Sequence, residues 1–427
     1  MMRFSLFSFL FCGLLLTGCG GSSSQNSSSL QLAKTITGIA VSGTPIKVFD
    51  HTKDQQQSYN IPDGQVTAWR EADGTMDLTI PSFENYRMRG TGFANLTIDP
   101  HEVFSSETNA HLTPEADYNY AHWLMGVYTL DGKTYYAMTH SEWYACLLNS
   151  NCNATVSGGD NATLNSWVAT PNEMISTDGG ADWQLNTVNG SHTVAALGFA
   201  WTGSTAEQDQ IYLHALNHTG VFQPSRIIQE NGYYYSVAFY IHRKFSAIDP
   251  ASNVYEAPVD GYGYILMRTN DLTNPGSWQI WQGGSTFGAM NSGTLQTFSP
   301  MVNGGSANAA PPQIIYDQNA QCYILIFTIY GQNGAVYYMT TKSLATPDWS
   351  AATTITGTAN IVSDPGGPVT GFGGDNYVSI IDESSAGYNF EFTTGSPQLF
   401  FSTFPSQYGG DNLARDLYRL PLTISYQ

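Results

Sequence analysis

Ser176-Thr177-Asp178-Gly179-Gly180-Ala181-Asp182-Trp183, STDGGADW, is a turn followed by an aromatic plug. An Asp carboxylate in such a turn can accept backbone N–H groups, a glycine tolerates positive φ, and a tryptophan can pack beneath the hairpin. This chemistry suits a corner between antiparallel strands, so Asp178 reads as a structural residue. Two looser relatives, RTNDLTNPGSWQIW from Arg268 and TTKSLATPDWSAA from Thr340, place Trp278 and Trp349 after comparable turns.

Around these turns lie five segments with one outline: a polar or Pro-containing start, an alternating strand, a turn with Gly or Asn, and an aromatic-rich second strand. They are PDGQVTAWREADGTMDLTI from Pro62, AHWLMGVYTLDGKTYYAMTH from Ala121, QPSRIIQENGYYYSVAFYI from Gln223, PPQIIYDQNAQCYILIFTI from Pro311, and DNYVSIIDESSAGYNF from Asp375. Each reads as a hairpin. Their starts lie about 60 to 105 positions apart, room for two further strands each, which is the spacing of β-propeller blades with insertions. The expected fold is all-β, a five-bladed β-propeller, with a six-bladed grouping as the alternative. GTPIKVFD from Gly43 and RDLYRLPLTISYQ at the C-terminus are strand-like and are expected to pair, leaving no free sheet edge.

Composition agrees. Charged residues are 11% of the 427, glycine numbers 42, and aromatics reach 13%, a mix that favours short strands and tight turns over helices. A net charge of −19 with only 15 Lys plus Arg excludes a broad basic face, and so argues against nucleic acid as a partner.

The N-terminus carries one Arg, an apolar run from Phe4 to Leu16, and then Leu16-Thr17-Gly18-Cys19. The run is too short to span a bilayer and reads as a signal peptide over residues 1–18. Its end resembles the lipobox of bacterial lipoproteins, which implies that Cys19 is lipidated. Residues 19–35 then form a Gly/Ser-rich tether, and the domain occupies 36–427. Gly20 after Cys19 implies an outer-membrane destination, with the lipid as the only membrane contact. Cys146 and Cys152 bracket a short polar loop and can close a disulfide, while Cys322 in an apolar run reads as a buried thiol. No Cys or His spacing suits zinc, no cofactor is implied, calcium is not indicated, and a monomer is expected.

Ser176-x-Asp178-x-Gly180-x-x-Trp183 matches the Asp-box of sialidases and many other propellers. From about Ile61 onward, AWREADG, ENYRMRG, YTLDGKTYYAMTHSEWY, STDGGADW, LMRTNDLTNPGSW and RDLYRLPL resemble bacterial secreted, glycosidase-like Asp-box propellers. The resemblance to five-bladed glycosidases implies an acid near the start of the first blade, where Asp63 stands. Hydrolysis needs one carboxylate to activate water and one carboxylic acid to protonate the leaving oxygen. Glu142, in THSEWYA, is the candidate acid, with His140 beside it. Ser225 and Gln313 occupy the places where a third acid would be sought.

Arg70, Arg87, His122, Tyr144 and Arg226 complete the expected contacts to a carbohydrate. Arg70, Arg87, Arg226, Arg243 and Arg268 could together furnish a sialidase triad, although no Arg–Ile–Pro-like opening appears. A second chemistry is that of a polysaccharide lyase, with His140 and Tyr144 removing a proton while Arg87 or Arg226 neutralises a uronic carboxylate. A third is a non-catalytic glycan-binding lipoprotein.

Overall fold

The computed structural model describes residues 32–105, 121–144, 167–195, 219–243, 259–289, 295–302, 305–306, 310–329, 335–360, 377–403 and 413–427. Cys19, the residues read as a signal and most of those read as a tether, and both Cys146 and Cys152, lie outside them. Residues Lys34–Gln427 form one compact unit. The described part is all-β with almost no helix.

Strand pairing follows the up-and-down order of the hairpins. Sheet 1 runs Ala68–Arg70, Met76–Ile80, Glu84–Gly90 and Thr97–Ile98. Sheet 2 runs Ala121–Thr129, Tyr135–Tyr144, Trp167–Ser176 and Gln184–Leu185. Sheet 3 runs Ile228–Glu230, Tyr233–Arg243, Val259–Thr269 and Gln279–Trp281. Sheet 4 runs Gln313–Asp317, Cys322–Phe327, Tyr337–Thr341 and Thr353–Thr354. Sheet 5 runs Ser379–Ile381, Gln398–Ser402, Leu417–Tyr426 and, from the other end of the chain, Ile36–Val41. The strand Thr219–Phe222 pairs with Trp167–Ser176 of sheet 2 and Tyr233–Arg243 of sheet 3, so that sheets 2 and 3 are two halves of one continuous ten-stranded sheet.

Local sequence explains the hairpins. In sheet 3, Asn231 (φ 50) and Gly232 (φ 83) form the two-residue link between Glu230 and Tyr233, and positive φ at both positions is what a right-twisted hairpin requires. The terminal segments pair as expected, but the reach of the pairing differs. Ile46–Phe49 pairs with the beginning of Leu417–Tyr426, and the fourth strand of sheet 5 is the earlier segment Ile36–Val41, in register with Leu422 to Tyr426.

Apolar faces are buried between sheets, and the clusters connect neighbours in order. Trp69 of sheet 1 packs with Leu124, Val127 and Tyr135 of sheet 2. Tyr128 and Met138 of sheet 2 pack with Tyr234 and Met267 of sheet 3. Tyr235 and Leu266 of sheet 3 meet Ile314 and Leu325 of sheet 4. Ile315 and Ile324 of sheet 4 meet Leu399 and Leu420 of sheet 5. Finally Phe400 and Leu417 of sheet 5 pack on Leu78 and Ile80 of sheet 1, so the order returns to its start. Cys322 is buried and free, and burial pushes its thiol up to about 11.

One short segment binds all the sheets. Between the first two strands of sheet 5, the Tyr388 carbonyl accepts from the Arg70 backbone N–H at 2.8 Å. Asn389 exchanges two bonds of 2.8 Å with the backbone of Thr129. Glu391 accepts from Gln229 N–H at 2.7 Å through its side chain, and from Tyr316 N–H at 2.8 Å through its carbonyl. Sheets 1, 2, 3 and 4 are thereby tied in turn to a loop of sheet 5. The expected second strand of the fifth hairpin at AGYNF is therefore not a strand. Gly387 and Phe390 adopt positive φ (85 and 52), the backbone turns away, and Gln398–Ser402 pairs with Ser379–Ile381 instead.

Candidate active site

The STDGGADW turn sits between the third and fourth strands of sheet 2. Asp178 Oδ1 accepts from Ser176 Oγ at 2.7 Å, Ala181 N–H at 3.0 Å and Asp182 N–H at 3.1 Å. These bonds hold its carboxyl below the usual range, against the opposing effect of burial. Trp183, 6% exposed, donates its indole N–H to the Gly180 carbonyl at 3.1 Å and meets Trp69 of sheet 1 edge-on at 6.3 Å. Gly180 has φ +84, and a Cβ there would lie 2.8 Å from the Trp69 ring. The Gly179 carbonyl, Gly180 and Trp183 join the turn to sheet 1, while Asp178 closes the turn on itself.

The carboxylates expected to act lie elsewhere. Asp63 precedes the first strand of sheet 1 and is fixed by its own N–H, which donates to the Pro81 carbonyl at 2.9 Å. Its Oδ2 accepts from Trp123 Nε1 at 3.2 Å, and its Oδ1 is paired with Arg415 at the head of the last strand of sheet 5. Burial alone would lower the Arg415 guanidinium, but Asp63 and Tyr377 outweigh it and hold that group above its ordinary value. Trp123 lies opposite His140 in the sheet 2 hairpin, with the two rings 5.1 Å apart. His140 Nε2 is 3.0 Å from Glu142 Oε1.

A backbone donor fixes the imidazole. Gln223 N–H donates to His140 Nδ1 at 3.4 Å, so the proton of the neutral ring is on Nε2 and is directed at Glu142. Asp63, Trp123, His140 and Glu142 thus form one continuous chain of contacts, with a carboxylate at each end. Phe83 packs on Trp123 at 4.8 Å, and Tyr59, 43% exposed, lies 5.8 Å from Phe83.

The other expected residues have different surroundings. Arg226, 0% exposed, donates to the carbonyls of Phe390 and Ile380, the latter at 2.6 Å. Arg87 donates to Asp99 at 3.1 Å and to the Gly179 carbonyl at 3.2 Å, and stands 3.4 Å from Asp77. Asp77 is wholly buried, which pushes its carboxyl up against the pull of Arg87 and Arg89. Arg70 donates to the carbonyls of Ser385, Gly387 and Glu383 at 2.7 to 2.8 Å and stacks on Phe390. These guanidinium groups bind backbone and internal carboxylates, which is a framework role.

His122 is wholly buried, with Nδ1 2.5 Å from Ser141 Oγ. Tyr144 ends its strand opposite Trp167, and its side chain lies outside the described residues. Ser225 donates to the Arg226 carbonyl at 2.9 Å, and Gln313 accepts from Arg226 N–H at 3.1 Å, so both serve the sheet framework.

Sequence reading missed Trp123 and Arg415 as members of this chain. Both stand in segments that drew attention for other reasons, AHWLMG and RDLYRLPL, and nothing local links either to Asp63. Among the described residues, Asp50, His51 and Asp416 could gather round a cation. Lys47 Nζ, 2.6 Å from Asp416, and Lys53 Nζ, 2.6 Å from Asp50, already supply the positive charge there.

No family model matches the sequence, and no curated protein matches it. Solved structures of similar chain path include a glycosyl hydrolase from Bacteroides ovatus, 10% identical, covering 91% of this chain and 94% of that one with a TM-score of 0.47. The catalytic domain of the Coprinopsis cinerea GH62 α-L-arabinofuranosidase is 12% identical, with 91% and 98% covered and a TM-score of 0.44. A β-xylosidase is 11% identical, with 86% and 97% covered and a TM-score of 0.43.

Proposed function

We propose that this chain is a five-bladed β-propeller that hydrolyses glycosidic bonds in a carbohydrate, with Asp63 as general base and Glu142 as general acid. The observation that carries the reading is the pair of carboxylates at the two ends of the Asp63–Trp123–His140–Glu142 chain, contributed by the first two sheets. Asp63 takes a proton from water as the water oxygen bonds to the anomeric carbon. Glu142 gives its proton to the glycosidic oxygen as the carbon–oxygen bond breaks. Arg415 orients Asp63, His140 orients Glu142 through its Nε2 proton, and Tyr59 offers an exposed ring for a sugar face.

The lyase alternative would have His140 act as base. Its two ring nitrogens are already occupied by Gln223 N–H and Glu142, which favours hydrolysis. The cellular setting belongs to the same proposal. Lipidated at Cys19 and held on a tether to residue 35, the monomeric domain acts at the outer membrane.

The test is release of reducing ends from a panel of plant and bacterial polysaccharides by wild type, Asp63→Asn and Glu142→Gln. Loss of at least a hundredfold in both variants is expected. Full activity in both would reject the assignment. An ultraviolet-absorbing unsaturated product would mark a lyase, and retention on a glycan column without cleavage would mark a binding protein. Labelling with radioactive palmitate, abolished by Cys19→Ser, tests the anchor.

A further inference from the structure

Arg226, just ahead of the first strand of sheet 3, holds a guanidinium at 0% exposure and bonds to the first strands of sheets 4 and 5. Its Nη1 and Nη2 donate to the carbonyls of Phe390 and Ile380 in sheet 5. Its backbone N–H donates across to the Gln313 side chain of sheet 4 at 3.1 Å. Neutral carbonyls satisfy donors without offsetting the charge, and a buried cation whose counter-charge does not bond to it directly is costly. Glu391 is the acid whose charge reaches the guanidinium, yet its side-chain oxygens face Gln229 N–H at 2.7 Å and Tyr128 hydroxyl at 3.4 Å.

Arg226 and two residues linked to it, Gln313 by a hydrogen bond and Ser379 through its neighbour Ile380, each carry a donor without a partner among the described residues: Arg226 Nε, Gln313 Nε2 and Ser379 Oγ. Gln313 and Ser379 are also at 0% exposure. The orientation of Gln313 is settled by its Oε1, which accepts from both Arg226 N–H and Ile314 N–H, so its other terminus is the NH₂ group. Ser379 adjoins Ile380, whose carbonyl binds the same guanidinium. Buried polar groups in native proteins find partners, and a cluster of donors around a cation calls for an acceptor carrying negative charge.

We infer that the buried surroundings of Arg226 bind a small monovalent anion of the halide type, held by Arg226 Nε–H, the Gln313 amide and the Ser379 hydroxyl. The anion balances Arg226 and ties sheets 3, 4 and 5 together. This site shares no residue with the Asp63–Glu142 chain and stands whether or not the protein is a hydrolase.

Crystals of the full chain grown in sodium bromide, with data collected at the bromine edge, should show an anomalous peak within hydrogen-bonding reach of Arg226 Nε. In solution, sodium chloride should raise Tm by roughly 1–3 °C over sodium gluconate at equal ionic strength, because a ligand of the native state stabilises it by mass action. Gln313→Glu places a carboxylate beside the guanidinium and should abolish that difference. The absence of a bromide peak, with density of a water there and equal Tm in both salts, would overturn the inference. Should Gln313→Glu not fold, the wild-type bromide map decides alone.

Discussion

Replacing Trp183 with Ala tests whether the STDGGADW turn serves the fold or the chemistry. The substitution removes an indole that is 6% exposed, its 6.3 Å edge contact with Trp69, and its 3.1 Å bond to the Gly180 carbonyl. The backbone bond from Trp183 N–H to the Val103 carbonyl at 3.0 Å remains, so the strand entry is kept. Large-to-small changes of buried Trp cost about 3–5 kcal/mol, a figure that includes about 1 kcal/mol for the aromatic pair. An unfolding entropy near 2 cal/mol/K per residue converts this, for a chain of 427 residues, to a fall in Tm of roughly 3–6 °C. Calorimetry on the variant, with the rate of the proposed hydrolysis measured well below its Tm, checks both halves. A Tm within a degree of wild type would refute the packing argument. A lost rate with Tm intact would place the turn at the reaction.

Three further outcomes follow from named contacts. Glu173 is buried against Trp278 Nε1 at 3.0 Å and Asn186, and burial pushes its carboxyl up from 4.5 to about 7. Its folded-state pKa exceeds the unfolded value, so its contribution is fully present below about pH 4.5 and is lost as pH rises through 7. Denaturant titrations should show stability falling by up to about 3 kcal/mol over that window from this group, and Glu173→Gln should flatten the slope; an unchanged slope rejects the assignment. Arg415→Lys keeps the charge but loses the planar fork beside Asp63, and should lower kcat about tenfold or more with Tm within about 2 °C of wild type. An unaltered kcat would remove Arg415 from the site. Deleting residues up to Gly43 strips Ile36–Val41 from Leu422–Tyr426 and exposes a sheet edge, so aggregation on heating and a lower Tm are expected by light scattering and calorimetry. A shortened chain melting as wild type does would show that the closing strand contributes nothing.

The hairpin starts at Pro62, Ala121, Gln223 and Pro311 could be read because period-two alternation and turn residues such as Asn231-Gly232 act over a few positions. The role of Asp178 was equally legible, since every bond it accepts comes from within four residues. The fifth hairpin misled for the same reason. AGYNF has the local look of an aromatic strand, and only its engagements with the other four sheets turn it aside.

Arginine roles could not be read locally. Arg226 and the Phe390 carbonyl it binds are 164 positions apart, and Asp63 and Arg415 are 352 apart. A guanidinium binds a sugar carboxylate, a backbone carbonyl or an internal acid with the same fork, so composition is silent on which it meets. Strand pattern, turn chemistry and charge balance are properties of neighbours along the chain, and those the residue order settled. Which side chains share a buried site depends on closing loops hundreds of residues long, and packing between sheets alone makes that choice.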